Sequence, residues 1–171
     1  MKRTLLVVVA LVALGAGGWW VWHARTGLDA TGTVTLEWRG SARGRATFPG
    51  QITWCPVTRM ATLTAISNDT GLLVTLLESD SLSVGPHQVV TPAIRDISPK
   101  PNATAAFRWV KDTVAIIGYA SVSGVIELST VGERATGSMD LRLRMPAALD
   151  TILLKGDFRN LPVVASAVGC P

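Results

Sequence analysis

The clearest alternation of apolar and polar residues lies in the stretch SMDLRLRM (138–145). Its apolar side chains fall on one face of an extended chain and its polar side chains on the other, as in a strand with one buried face. This pattern predicts a strand in which Leu141 and Leu143 are buried and Arg142 is exposed.

Further extended stretches recur at intervals of about ten residues. They are TVTLEW (33–38), QITW (51–54), ATLTAIS (61–67), LLVTLL (72–77), GVIELST (124–130) and TILLKGDF (151–158). Turn-forming residues at 68–71 and the segment VGER at 131–134 predict two hairpins. No stretch after residue 28 shows a sustained apolar period of 3.6 residues. We therefore predict an all-β domain, a sandwich of the immunoglobulin type or similar, with a barrel as the alternative.

The segment 83–107 is less regular, because it contains Pro86, Pro92, Pro99 and Pro101. Proline cannot donate a hydrogen bond to a β ladder, so this density is typical of a sheet edge or of an excursion over one end of the fold. Two interpretations stay open for the segment: a binding loop on a β scaffold, and a plain solvated connection.

The amino-terminal segment contains 19 uncharged residues, 4–22, directly after Lys2 and Arg3. A helix of this length spans roughly 28 Å, close to the ~30 Å hydrocarbon core of a bilayer. We predict an uncleaved transmembrane anchor in residues 1–27 and a folded domain in residues 28–171, with a cleaved signal peptide as the alternative. The positive charges before the span place the amino terminus in the cytoplasm and the domain in the periplasm, with the anchor in a bacterial inner membrane.

The predicted exported end of the span carries the residues typical of a membrane interface: Trp19, Trp20, Trp22, His23 and Arg25. Indole rings favour the headgroup level, and an arginine side chain can extend to the surface. We interpret His23 as an interfacial polar residue, and the alternative is that it ligates a pigment or another cofactor.

Two glycines, Gly15 and Gly18, share a helical stripe with Trp19 and Trp22. Small residues let a neighbouring helix approach closely in a membrane. The stripe predicts docking on a partner helix, and a plain lipid-facing anchor is the alternative.

Cys55 and Cys170 are the only cysteines of the chain. In an exported domain two such residues predict a disulfide, which would close a loop of more than 100 residues. The alternative is two unpaired, buried thiols. Two cysteines and His87 lack the spacing of a metal site, so no metal ligand is predicted.

Candidate catalytic chemistry is sparse. A Ser/His/Asp arrangement would have to use His87, and the chain has neither a G-x-S-x-G elbow nor a P-loop. We therefore predict neither an enzyme nor a cofactor. Arg39, Arg43 and Arg45 predict either a small basic patch near the membrane exit or, as the simpler interpretation, a solvated strand face.

The charge of the predicted domain argues against nucleic acid as a partner. Residues 28–171 hold 13 Lys and Arg against 12 Asp and Glu, and no basic run is interleaved with aromatic residues. The basic character of the whole chain comes largely from the amino-terminal segment.

The stretch TGTVTLEWRGSARGRATFPGQITWCPVTRMATLTA (31–65), with Trp54-Cys55-Pro56, is similar to the anchored β-domain of the type II secretion N component. The layout of one span and a small exported β-domain also resembles accessory subunits of bacterial photosynthetic reaction-centre and antenna complexes. Both resemblances imply a subunit of a larger inner-membrane assembly, and neither supplies a functional residue.

These observations together predict a non-catalytic accessory subunit that is held in the lipid bilayer by one span. Its periplasmic β-domain is expected to dock on and stabilise a larger inner-membrane protein complex. The alternative is a free-standing periplasmic module that binds a ligand or an envelope component, with the 83–107 segment as its binding loop.

Overall fold

A computed structural model describes residues 32–67, 69–110, 116–146, 148, 150–166 and 170. All of them belong to one compact unit that begins at Gly32. Among these residues no helix is long and apolar enough to cross a membrane. The predicted span at 4–22 lies outside the described residues.

The described residues form nine β-strands and one short 3₁₀ helix at Pro92–Ile97. The strands are β1 (Gly32–Gly40), β2 (Gly44–Cys55), β3 (Met60–Ile66), β4 (Thr70–Leu77), β5 (Gly85–Val89), β6 (Asn102–Val110), β7 (Ile116–Thr130), β8 (Arg134–Arg144) and β9 (Thr151–Ala165). The predicted all-β class is therefore confirmed, and so are the β3–β4 and β7–β8 hairpins.

The strands join into one sheet that closes as a barrel, in the order β1-β2-β3-β4-β6-β5-β7-β8-β9. This continuous sheet differs from the two separate sheets of an immunoglobulin-type sandwich. The reason lies in two strands of 15 residues. One edge of β9 pairs with β8, while its other edge pairs first with β1 and then, in parallel, with β2. In the same way, β7 pairs with β6 along its first residues and with β5 further along the strand.

Alternation places one face of every strand inside the barrel. The strand β8 shows the predicted pattern, since Leu141 and Leu143 are buried and Arg142 is exposed. The largest fully buried side chains fill the interior; they are Phe107, Phe158, Leu36, Ile52, Leu63, Leu72, Leu76, Ile126, Leu128, Leu141, Leu143 and Ile152. Inward-facing glycine makes room for the widest rings, because a Cβ at Gly44 would overlap the indole of Trp38.

One end of the barrel, here called the disulfide end, contains the start of β1 and the 56–59 turn. Cys55 and Cys170 are joined there, with their Cα atoms 5.7 Å apart. The predicted disulfide is thus confirmed. Because the bridge connects the end of β2 to the chain after β9, it reinforces the place where these two strands pair in parallel.

The opposite end, here called the aromatic end, is filled by four stacked or tilted rings: Trp38, Phe107, Trp109 and Tyr119. Trp109 lies 5.2 Å from Tyr119 and 6.0 Å from Trp38 between ring centroids, and both pairs are stacked. The Tyr119 hydroxyl shares a hydrogen bond of 3.0 Å with Ser41 of the β1–β2 turn. Aromatic packing thus closes this end of the barrel, whereas the disulfide closes the other end.

The segment 83–107 differs from the sequence prediction, because it contains β5 and most of β6. β6 is a central strand between β4 and β7. Three of the four prolines lie outside the strands, since Pro92 begins the 3₁₀ helix and Pro99 and Pro101 precede the first residue of β6. Pro86 lies in β5, opposite Glu127 of β7. The side chain of Asn102 donates to the carbonyls of Arg95, Ser98 and Pro99, which holds this turn against the barrel.

Candidate functional site

The residues that the sequence predicts as functional lie in different parts of the chain. The anchor residues Gly15, Gly18, Trp19, Trp20, Trp22, His23 and Arg25 lie outside the described part of the chain. Arg39, Arg43 and Arg45 surround the β1–β2 turn, at the end of the barrel opposite the start of β1. Arg39 forms an ion pair with Glu37, and Arg45 is paired with Glu37 in register. All three arginines are exposed, and Glu37 lies beside Arg39 and Arg45.

His87 faces the barrel interior near the disulfide end and is completely buried. Its Nε2 atom lies 2.6 Å from Oε1 of Glu78, and its Nδ1 atom lies 3.2 Å from the carbonyl oxygen of Gly85. The two ring nitrogens thus hold the imidazole between the backbone of its own strand, β5, and the carboxylate of Glu78. The two side chains form a buried, hydrogen-bonded histidine–carboxylate pair.

Glu78 is also held by Ser83, whose backbone N–H and hydroxyl both donate to its carboxylate. Burial by itself raises the pKa of the Glu78 carboxyl, but the hydrogen bonds from His87 and Ser83 outweigh it, and the pKa lies below its ordinary value. The serine hydroxyl contacts the carboxylate and not the imidazole. Since Glu78 and His87 are buried, we interpret this arrangement as one that stabilises this end of the barrel.

A groove of about 470 Å³ lies on the outer wall of the barrel, across β3, β4, β6 and β7. The register aligns its residues in two rows: Thr64, Leu73, Ala106 and Ala120 in one, and Ile66, Gly71, Arg108 and Gly118 in the other. Small residues form the floor of this outer-wall groove, and Ile66, Leu73 and Pro146 form its sides. The groove is therefore an apolar depression lined by residues of four neighbouring strands.

Two cations flank the outer-wall groove. Arg108 lies across Gly71, where an added Cβ would come within 3.3 Å of its Nε atom. Arg144 is the register neighbour of Ala120 on β8. Within the described residues neither arginine forms an ion pair with a carboxylate, whereas Arg39 and Lys155 on the opposite wall do. An unpaired cation beside apolar surface favours a partner that is apolar and carries an acidic group.

Sequence reasoning did not identify the outer-wall groove. Its four strands form two pairs of neighbours in the chain, β3 with β4 and β6 with β7, and these two pairs meet only because β6 lies beside β4. The single local signal is the run Gly118, Tyr119, Ala120, in which two small residues occupy the outward positions of a strand.

Comparison with known proteins finds no family model that matches the chain, no similar curated protein and no similar solved structure. The resemblances to a secretion component and to photosynthetic accessory subunits therefore stay predictions. The outer-wall groove and its flanking charges are the basis for a functional proposal.

Proposed function

We propose that the protein is a non-catalytic, membrane-anchored accessory subunit whose exported β-domain docks on a larger inner-membrane protein complex through the outer-wall groove. The observation that carries this proposal is the groove itself, because contiguous exposed apolar surface on a well-filled domain marks an interaction site. Ile66 and Leu73 point outward beside the groove and are about half exposed. They are therefore apolar surface that the barrel core does not use.

The experiment compares two double variants of the full-length protein extracted from membranes with a mild detergent. Ile66→Gln with Leu73→Gln changes the outer-wall groove, and Leu153→Gln with Val164→Gln is the matched control elsewhere on the barrel. The exposed fractions are 52% and 44% for the first pair and 55% and 50% for the second, so both remove equally accessible apolar surface.

Native gel electrophoresis should show the wild type and the control in a larger species, and the groove variant at its own mass. A photoreactive residue at position 73 should cross-link to a membrane protein in that species. Retention of the larger species by the groove variant, or migration of the wild type alone, would contradict the proposal.

A free-standing binding module is the second candidate, and the size of the outer-wall groove favours it. A volume of about 470 Å³ falls in the range of pockets that hold small ligands, roughly 300–1,000 Å³. Native mass spectrometry separates the two functions, because a small ligand adds a few hundred daltons and a partner subunit adds the mass of a protein.

A further inference from the structure

The first four residues of β7 have a strand on one side only, among the residues that the structure describes. Ile116 to Tyr119 pair with Val110 to Phe107 of β6. Pairing of β7 with β8 begins at Ala120, opposite Arg144. The edge of β7 that would face a longer β8, here called the open edge, adjoins the outer-wall groove.

Backbone directions show which residues of the open edge are unpaired. The N–H of Val110 donates to Asp69, at the β4 side, over 2.7 Å. Successive residues of a strand direct their N–H and C=O groups to opposite sides, so Trp109 faces β7 and exchanges bonds with Ile117. It follows that Ile116 and Gly118 direct their N–H and C=O groups to the open edge.

Pro146 explains why β8 does not continue there. In the register that joins Ala120 to Arg144, the position opposite Gly118 falls on Pro146. A proline has no N–H to donate to the carbonyl of Gly118. On the other side, Met145 donates its N–H to Asp150 over 2.8 Å and continues the register of β8 with β9.

The surface around Gly118 leaves space for another chain. A Cβ built at Gly118 would meet nothing within 4 Å, and Gly118, Tyr119 and Pro146 all line the outer-wall groove. Ile116, at the end of the same edge, is 64% exposed. Unpaired backbone groups beside an apolar surface are the features that a sheet uses to bind an extended peptide.

We propose that the open edge of β7 receives an extended segment of a partner protein as an added strand. This inference rests on the docking function proposed above and specifies its mode. The backbone of the segment pairs with Ile116 and Gly118, and its apolar side chains lie in the outer-wall groove. The unpaired Arg108 and Arg144 favour a segment that also carries an aspartate or glutamate.

The test uses Gly118→Pro in the full-length protein, with Gly118→Ala as its matched control. Because the N–H of Gly118 faces the open edge, the proline removes no N–H bond to β6 and removes the donor that an added strand would use. The alanine keeps the N–H, and its methyl group enters open space. We expect the proline variant to bind the partner complex about tenfold more weakly or worse, and the alanine variant to bind as the wild type does.

Amide hydrogen exchange provides a second measurement that needs no substitution. In the isolated complex, the amides of Ile116 and Gly118 should exchange at least about tenfold more slowly than in the free protein, as newly paired strand amides do.

Equal partner binding by the proline and alanine variants, or unchanged exchange of both amides, would overturn strand addition. If the Ile66→Gln and Leu73→Gln variant still loses the complex in that case, docking through the groove stands without an added strand. If native mass spectrometry of the wild type shows a bound acyl lipid and no partner protein, both proposals are overturned.

Discussion

The two ends of the barrel are closed by different chemistry. At the disulfide end, a covalent bridge and the buried Glu78–His87 pair hold the loops against the strands. At the aromatic end, four rings and one hydrogen bond between hydroxyls fill the opening. The first end is fixed by groups whose loss leaves a buried charge or a longer flexible chain, while the second is fixed by many weak contacts.

This difference matters for the proposed docking. Strand β7 runs from the aromatic end, where its first residues have one strand neighbour, to the disulfide end, where β5 and β8 pair with it on both sides. A binding edge requires backbone groups that are not already bonded, and such groups are found only where the local structure is less constrained. The proposed binding edge thus lies at the end of β7 that has fewer strand partners in the described residues.

The largest difference should come from the disulfide. The bridge joins residues 115 apart in sequence, and the chain-entropy model gives about 4–5 kcal/mol for a loop of this length. We expect the double variant Cys55→Ser, Cys170→Ser to lose that much unfolding free energy in urea denaturation. A loss below about 1 kcal/mol, the size of an ordinary surface substitution effect, would show that the disulfide end is held by its other contacts.

The buried Glu78–His87 pair should give the next largest effect. His87→Ala leaves the carboxylate of Glu78 buried without its imidazole hydrogen-bond partner, and such a loss costs about 3 kcal/mol. Urea denaturation at neutral pH measures this loss. A cost under about 1 kcal/mol would show that solvent reaches the carboxylate once the imidazole is removed.

The pH dependence of the same pair has a definite sign. The pKa of Glu78 in the folded protein lies below its ordinary value of 4.5, so ionised Glu78 stabilises the fold above that pH. This contribution should disappear as the pH falls below 4.5 and through the lowered pKa. Glu78→Gln does not titrate at this position. The unfolding free energy of the wild type should therefore fall towards that of the variant between pH 4.5 and pH 2. A constant difference between the two proteins over this range would exclude Glu78 as the titrating group.

Local patterns in the sequence were sufficient for several elements of the fold. The alternation in 138–145 assigned both faces of β8 correctly, since neighbours on each side bury the same face. Turn residues located the β3–β4 and β7–β8 hairpins, which need only adjacent strands. The cysteine count identified the disulfide because the chain offers a single possible pair.

The remainder depended on contacts between distant segments. The prolines between 83 and 107 concealed β5 and β6, although Pro86 lies on a part of β5 without a β6 neighbour. Closure of the sheet could not be predicted, because it requires β9 to reach β1 and β2 at once. The outer-wall groove depends on the adjacency of β4 and β6, and the open edge depends on the register of Pro146 relative to Gly118.

A smaller effect is expected from the ring stack at the aromatic end. Trp109 contacts three other rings, and such pairs contribute about 0.5–1.5 kcal/mol each beyond their buried area. We expect Trp109→Leu to cost about 2 kcal/mol more than Trp54→Leu. Trp54 is the matched control, because it is also half-buried against the core but lies at the disulfide end without a ring partner in the described residues. Equal costs would mean that burial alone, and not stacking, holds the aromatic end.

The smallest effect should come from the hydrogen bond that joins Tyr119 to Ser41. Tyr119→Phe keeps the ring against Trp109 and removes only the hydroxyl, so the expected loss is about 1 kcal/mol, as for a typical hydrogen bond. Ser41→Ala removes the other partner, and the double variant should cost no more than about 0.5 kcal/mol beyond either single one if the two hydroxyls act only on each other. Additive losses in urea denaturation would instead show that each hydroxyl is satisfied separately. In that case the β1–β2 turn would be independent of β7, and the aromatic end would be looser than its ring contacts indicate.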